Sequence, residues 1–287
     1  MELLTMAGGS KRMFGLLGKK RRRVKTNTML RFLHEVLELE HLHYGLWEDE
    51  ERNIAGLARA QQRYADELVS WIPEGVHSIV DVGAGVGTTS RLLTERGYSV
   101  EGLSPDPYQR DVFTRRTGLP FHLTRFQEFR PERPYDLILM SESAQYIWLD
   151  SYFPCVQRVA PGGHLLLADY FIVDGDCAGK GPAAKSGHRL EEFDRKAGDS
   201  GFELIRETDI TEATLPTLEL ASKWIKNYVE PSLSILGDSL DGRYPRVARL
   251  VSKKVGAEFE KNREIVDPEL FRKLKRYLIR LYRVPKH

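Results

Sequence analysis

The chain has 287 residues, 41% of them apolar and 29% charged, with a net charge of +2. That length buries one substantial core with helical additions and excludes two large independent domains, while the composition excludes a disordered or fibrous chain. With 43 basic residues against 41 acidic ones, the overall field gives no reason to expect nucleic acid as a partner. Cys155 and Cys177 are the two cysteines. Without paired spacing or a Cys/His cluster they predict neither a disulfide framework nor a metal site, and they fit a reducing, cytoplasmic setting. No run of about 18 apolar residues predicts a membrane span, and no cleavable apolar core follows the N-terminal charges.

Residues 1–26, with Gly8, Gly9, Ser10 and the run Lys19-Lys-Arg-Arg-Arg23, read as a basic tail. Solvation is the plain reading of that run, and peripheral contact with an anionic membrane or RNA is the alternative. In residues 27–74, Leu30, Leu33, Val36, Leu37 and Leu39 follow helical spacing, as does Leu57 to Trp71. The aromatic segment Tyr44-Gly-Leu-Trp47 joins these two helices.

The core is expected over residues 75–211. Ser78 to Val82 is a short apolar strand running into glycine, and Thr88 to Glu95 resumes helical spacing. Further strands are predicted at Tyr98 to Leu103, Pro120 to Leu123, Tyr135 to Met140, His164 to Ala168 and Phe202 to Ile210, with a helix near Leu190 to Ala197. Strands alternating with helices imply right-handed crossovers and a mostly parallel sheet. A Gly-rich loop spans Asp174 to Gly187. Residues 212–270 read as a helical insertion over the substrate site. Residues 271–287 hold a seventh, closing strand at Tyr277 to Val284, stopped by Pro285, with a basic amphipathic helix as the rival reading.

In Asp81-Val-Gly-Ala-Gly-Val-Gly87 the glycines let the chain leave a strand sharply and bring bare backbone against a ligand where a helix begins. A nicotinamide dinucleotide calls for Gly-x-Gly-x-x-Gly, and the third glycine here comes one place too early. A purely structural turn is the remaining alternative. Ile79 to Gly87 resembles the first motif of class I S-adenosylmethionine-dependent methyltransferases. Gly102-Leu-Ser-Pro-Asp-Pro-Tyr-Gln109 is similar to the second-strand motif of a subgroup that methylates sterols, tocopherols and related small molecules and that includes cyclopropane fatty acid synthase-like enzymes. Tyr135 to Ile147 and Val159 to Asp169 resemble the fourth and fifth motifs, and His41-Leu-His-Tyr-Gly-Leu-Trp47 the segment that closes over the cofactor.

The resemblance implies a Rossmann-like α/β fold, a seven-stranded mostly parallel sheet with helices on both faces and a helical lid. It implies S-adenosylmethionine as cofactor, with Gly83, Ala84, Gly85 and Gly87 along its methionine portion and Asp81 near the ammonium. Ser104 stands where most of the family has a ribose-binding acid, so Gln109, with Asp106 and Pro105, takes over that contact. Phe126 and Gln127 are assigned to adenine, Ser141 to the cofactor edge, and Tyr44 and Trp47 to closure.

Glu142, directly after the fourth strand, is the first candidate for acceptor binding or general base work, followed by Tyr146 and His43. Simple helix capping by Glu142 is the plainer reading. Cyclopropane-forming relatives carry a Glu-His pair where this chain has Gln145 and Tyr146, which favours methylation of an O, N or C centre. The aromatics Trp148, Tyr152, Tyr170, Phe171, Trp224 and Tyr228 point to an apolar or aromatic, lipid-like small molecule, or simply to core. A catalytically silent nucleoside-binding scaffold is the alternative function.

Overall fold

The structure is a computed structural model that describes residues 28–173, 186–241 and 263–286. The expected basic tail and nearly all of the Gly-rich loop lie outside the described residues. Helix α1, Thr28–Glu35, is shorter than the leucine spacing predicts, because Glu38 adopts a left-handed φ of 53° beyond it. Helix α2, Ile54–Ser70, is capped by the Asn53 side chain, which accepts from the Gly56 amide.

The strands are β1 Ser78–Val82, β2 Ser99–Leu103, β3 Phe121–His122, β4 Leu137–Ser141, β5 His164–Ile172, β6 His188–Arg189, β7 Glu203–Asp209 and β8 Lys275–Arg283. Between them run α3 Thr88–Glu95, α4 Pro107–Thr117, α5 Leu149–Val159, α6 Leu190–Asp199, α7 Thr211–Trp224, α8 Glu230–Asp241 and α9 Pro268–Leu274. The sheet order is β3-β2-β1-β4-β5-β8-β7, with β6 paired to β5. All pairings are parallel except those of β8, which is antiparallel to both β5 and β7. The α/β class and the mostly parallel sheet hold. Among the described residues the sheet has eight strands rather than seven, because the two-residue β6 adds to β5, which itself runs past Ala168 to Ile172.

The closing segment begins at Lys275, so residues 271–274 belong to α9, whose first turn is capped by Asp267 accepting from Glu269 and Leu270 amides. Strand rather than amphipathic helix is what Tyr277 to Arg283 forms. The period of two explains it: Tyr277, Ile279 and Leu281 pack with Tyr64 and Leu68 of α2, while Leu278 and Tyr282 pack with Phe153, Phe171 and Phe193 on the other side. Arg280, on that second side, is 3% exposed and is paired with Asp194 and Glu207 at 2.6 Å each. The edge strand β7 is exposed throughout and carries Glu203, Arg206, Glu207 and Asp209, a charged edge that resists pairing with other chains. Among the described residues no helix is long and apolar enough to cross a membrane.

Candidate active site at the carboxyl edge of the sheet

The turn after β1 has three left-handed glycines, Gly83 at φ 82°, Gly85 at 55° and Gly87 at 88°. Their surroundings separate their roles. A Cβ on Gly83 would lie 2.5 Å from the Ser143 Cβ, and one on Gly87 would lie 2.6 Å from Thr117 Cγ2. Those two glycines are demanded by the protein's own packing. At Gly85 the nearest atom to such a Cβ is Leu42 Cδ1 at 3.8 Å, an ordinary van der Waals contact, so its glycine is required by the left-handed φ rather than by crowding. Gly83 is exposed and Gly85 half-buried, whereas Ala84, Val86 and Gly87 are buried. Asp81 lies beneath the turn, 4% exposed, accepting from Ser90 Oγ at 2.6 Å, and burial raises its carboxyl to about 6.

After β2, Ser104 Oγ accepts from the Asp106 amide at 3.2 Å, and Asp106 caps α4 by accepting from the Tyr108 amide at 2.9 Å. Pro105 is half-buried. Gln109 is 8% exposed, and its Oε1 is buried without a partner among the described residues. A buried oxygen left unsatisfied costs about 1–3 kcal/mol, which a ligand hydroxyl at this edge would recover. The uncrowded backbone at Gly85 and this unpartnered oxygen would fit a nucleoside cofactor. Phe126 is core, 3% exposed, at the start of a short 3-10 turn, and Gln127 is half-buried with its carbonyl bonded to Arg130 and Arg158.

Glu142 follows β4 with a left-handed φ of 52° and its amide bonded to the Ala168 carbonyl at 2.9 Å. The next residue ties this edge to the glycine turn, because Ser143 Oγ donates to the Val82 carbonyl at 2.5 Å. Glu142 Oε1 accepts from the Tyr44 amide and from the Tyr277 hydroxyl, both at 2.7 Å. Burial raises the carboxyl to about 7; those two donors oppose the rise, and the nearby Asp169 adds to it. Asp169, 1% exposed, accepts from the Tyr170 and Gln145 amides and is also raised by burial to about 7. A carboxyl poised near neutrality at the carboxyl edge of an open sheet suits proton transfer.

The other predicted residues fall around this carboxyl. Ser141 Oγ meets Tyr64 OH at 3.1 Å, and Tyr64 OH meets Tyr277 OH at 2.9 Å, making a hydroxyl chain that ends on Glu142. The Tyr44 ring packs against Tyr277, Phe271 and Tyr170 with centroids 5.6, 6.0 and 6.4 Å away. His43 stacks on Tyr64 at 4.2 Å, and its Nδ1 lies 2.7 Å from the Tyr44 carbonyl, which fixes that nitrogen as the donor. Burial drives this imidazole down to about 3, so it stays neutral at ordinary pH. Trp47, 4% exposed, donates from its indole to Thr217 Oγ1 at 2.8 Å and anchors the layer between α2 and α7. Tyr146 is 71% exposed at the rim. Sequence reasoning missed Tyr64, Tyr277 and Asp169; the alternation within the closing strand was the signal for Tyr277.

The sequence matches the methyltransferase domain family over residues 47–213. The chain belongs to that family. It is a class I S-adenosylmethionine-dependent methyltransferase in fold and motifs, and S-adenosylmethionine is the cofactor of that class. This methyltransferase is 26% identical to Methyltransferase GfsG of Streptomyces halstedii over 62% of its length and 71% of the relative's. It is 25% identical to the 27-O-demethylrifamycin SV methyltransferase of Amycolatopsis mediterranei over 68% of its own chain and 78% of that one. Geranyl diphosphate C-methyltransferase from Streptomyces coelicolor, solved with a geranyl diphosphate analogue and S-adenosyl-L-homocysteine, has the same fold. The TM-score is 0.65 at 18% identity, covering 91% of this methyltransferase and 94% of that protein.

Proposed function

We propose that this methyltransferase acts on a small, apolar or aromatic acceptor, at an oxygen, nitrogen or carbon centre with oxygen favoured. One observation carries the reading: Glu142 stands between the glycine turn and the aromatic cluster with one carboxyl oxygen fixed by Tyr44 N and Tyr277 OH. Its second oxygen makes no hydrogen bond to a described residue and is available to an acceptor. The backbone of Gly83, Ala84, Gly85 and Gly87, with Gln109, would hold the cofactor. Bound there, S-adenosylmethionine supplies a methyl carbon activated by a sulfonium. Glu142, as the carboxylate, would take the acceptor's hydroxyl proton on its free oxygen while the methyl passes to that oxygen and its bond to sulfur breaks, leaving the neutral thioether, a contribution on the order of 10²–10⁴ in rate. Alignment of the partners supplies several kcal/mol more, on the order of 7 or above when well oriented.

Oxygen is favoured because the relative from Amycolatopsis mediterranei is named for a 27-O-demethylated substrate. Cyclopropane formation is disfavoured because Gln145 Oε1 is held by the Tyr170 hydroxyl at 2.5 Å and Tyr146 faces solvent. The test is thermal unfolding with S-adenosylhomocysteine and with NAD, followed by labelled methyl transfer into a panel of hydroxylated aromatic and lipid-like acceptors. Protection by the first ligand alone, with label incorporated, is expected. Protection without incorporation across the panel would favour a silent scaffold. Gly85→Val puts a β-branched side chain at a φ of 55°, against Leu42, and should abolish the protection; retained protection would overturn the placement of the cofactor.

A further inference from the structure

Lys275 opens β8 opposite Ile172 of β5 and is 3% exposed. Strand alternation puts it on the same face as Tyr277, whose hydroxyl reaches Glu142. Its ammonium lies 4.2 Å from the centre of the Tyr170 ring and 5.5 Å from that of Phe271, two of the rings against which Tyr44 packs. Among the described residues it has no hydrogen bond and no ion pair. Asp169 attracts it without pairing, the carboxylate being bonded to the backbone amides of Gln145 and Tyr170.

Arg280, five residues further along the same strand, provides the contrast. It is equally buried at 3% exposure, yet it has two carboxylates at 2.6 Å. Both cations lie over aromatic rings, but among the described residues the strand gives carboxylate partners to Arg280 alone. Removing an ammonium from water is costly, and a ring face offsets only part of that cost. Burial accordingly draws Lys275 down to about 8. Among the described residues the ammonium has no anionic partner, and it lies on the Tyr277 face of the strand.

We propose that Lys275 binds the acceptor through an acidic oxygen of that acceptor, a carboxylate or an ionised phenol, held above the Tyr170 ring. This deepens the methyltransferase reading and rests on it.

The test uses the full chain saturated with S-adenosylhomocysteine and four probes measured by calorimetry: benzoate, benzamide, 4-nitrophenol at a pH where it is ionised, and 4-nitroanisole. Each anion should bind at least tenfold more tightly than its neutral partner, and the tighter of the two anions tells carboxylate from phenol. Lys275→Met should erase the preference and Lys275→Arg should keep part of it, with S-adenosylhomocysteine affinity unchanged in both. Equal binding of charged and neutral probes, no binding of either anion, or a preference that survives Lys275→Met would overturn the proposal. Failure of the wild-type chain to bind S-adenosylhomocysteine would overturn the cofactor reading and this proposal with it.

Discussion

Replacing Glu142 by Gln separates its charge from its shape. The amide oxygen of Gln can still accept from Tyr44 N and Tyr277 OH, so the local geometry survives. In the wild-type chain the carboxyl rises from an ordinary 4.5 to about 7 on folding. Between those two values the folded state holds a proton that the unfolded chain has released, so stability falls as pH rises through that window and is level above it. At about 1.4 kcal/mol for each pH unit the full loss is about 3 kcal/mol. Glu142→Gln lacks this loss, and Asp169, whose charge interacts with Glu142, titrates in both proteins. Urea unfolding at pH 5 and pH 8 should show the variant gaining about 2–3 kcal/mol on the wild type between the two. Turnover of a hydroxyl acceptor should fall on the order of 10²–10⁴, with S-adenosylhomocysteine affinity unchanged. A stability difference that is the same at both pH values, or undiminished turnover, would refute the assignment.

Tyr277→Phe removes one of the two donors on Glu142 Oε1 and the partner of Tyr64 OH. The carboxylate loses support, so its titration moves above 7 and the acid limb of the kcat profile shifts to higher pH; an unmoved limb would show that Glu142 is not the titrating group. Arg280→Met deletes the cation between Asp194 and Glu207, whose side chains are 46% and 39% exposed and can rehydrate. A loss of about 1–3 kcal/mol is expected in urea unfolding, with cofactor affinity intact, and a loss under about 0.5 kcal/mol would mean that the rings and not the ion pairs hold this layer.

The parts of this molecule written locally were legible. The apolar run of β1, the glycines that follow and the resumed helical spacing of α3 each depend on a few neighbouring residues, and all three stand where the spacing places them. The place of Glu142 was legible too, directly after β4 at the carboxyl end of a parallel strand. The partners of Glu142 were not. Tyr277 is distant in sequence, and only the register of β8 against β5 brings its hydroxyl to the carboxyl. The same holds for Ser143, whose contact with Val82 links two strands that no local pattern pairs. Trp47 carries the signal of an aromatic lid residue, but a buried indole seeks any acceptor in reach, and Thr217 of α7 supplies one.

The site therefore has two halves of different chain ancestry. The nucleoside half is built from β1, β2 and the short connections beside them, contiguous sequence that closes with little loop entropy. The acceptor half needs β8, which reaches back across about a hundred residues to lie beside β5. Contact order then predicts that the β1 and β2 part forms first and that Lys275 and Tyr277 of β8 come last. Pulsed hydrogen exchange on refolding chains should then find the β1 and β2 amides protected before those of β8. The reverse order would show that the antiparallel insertion nucleates the fold.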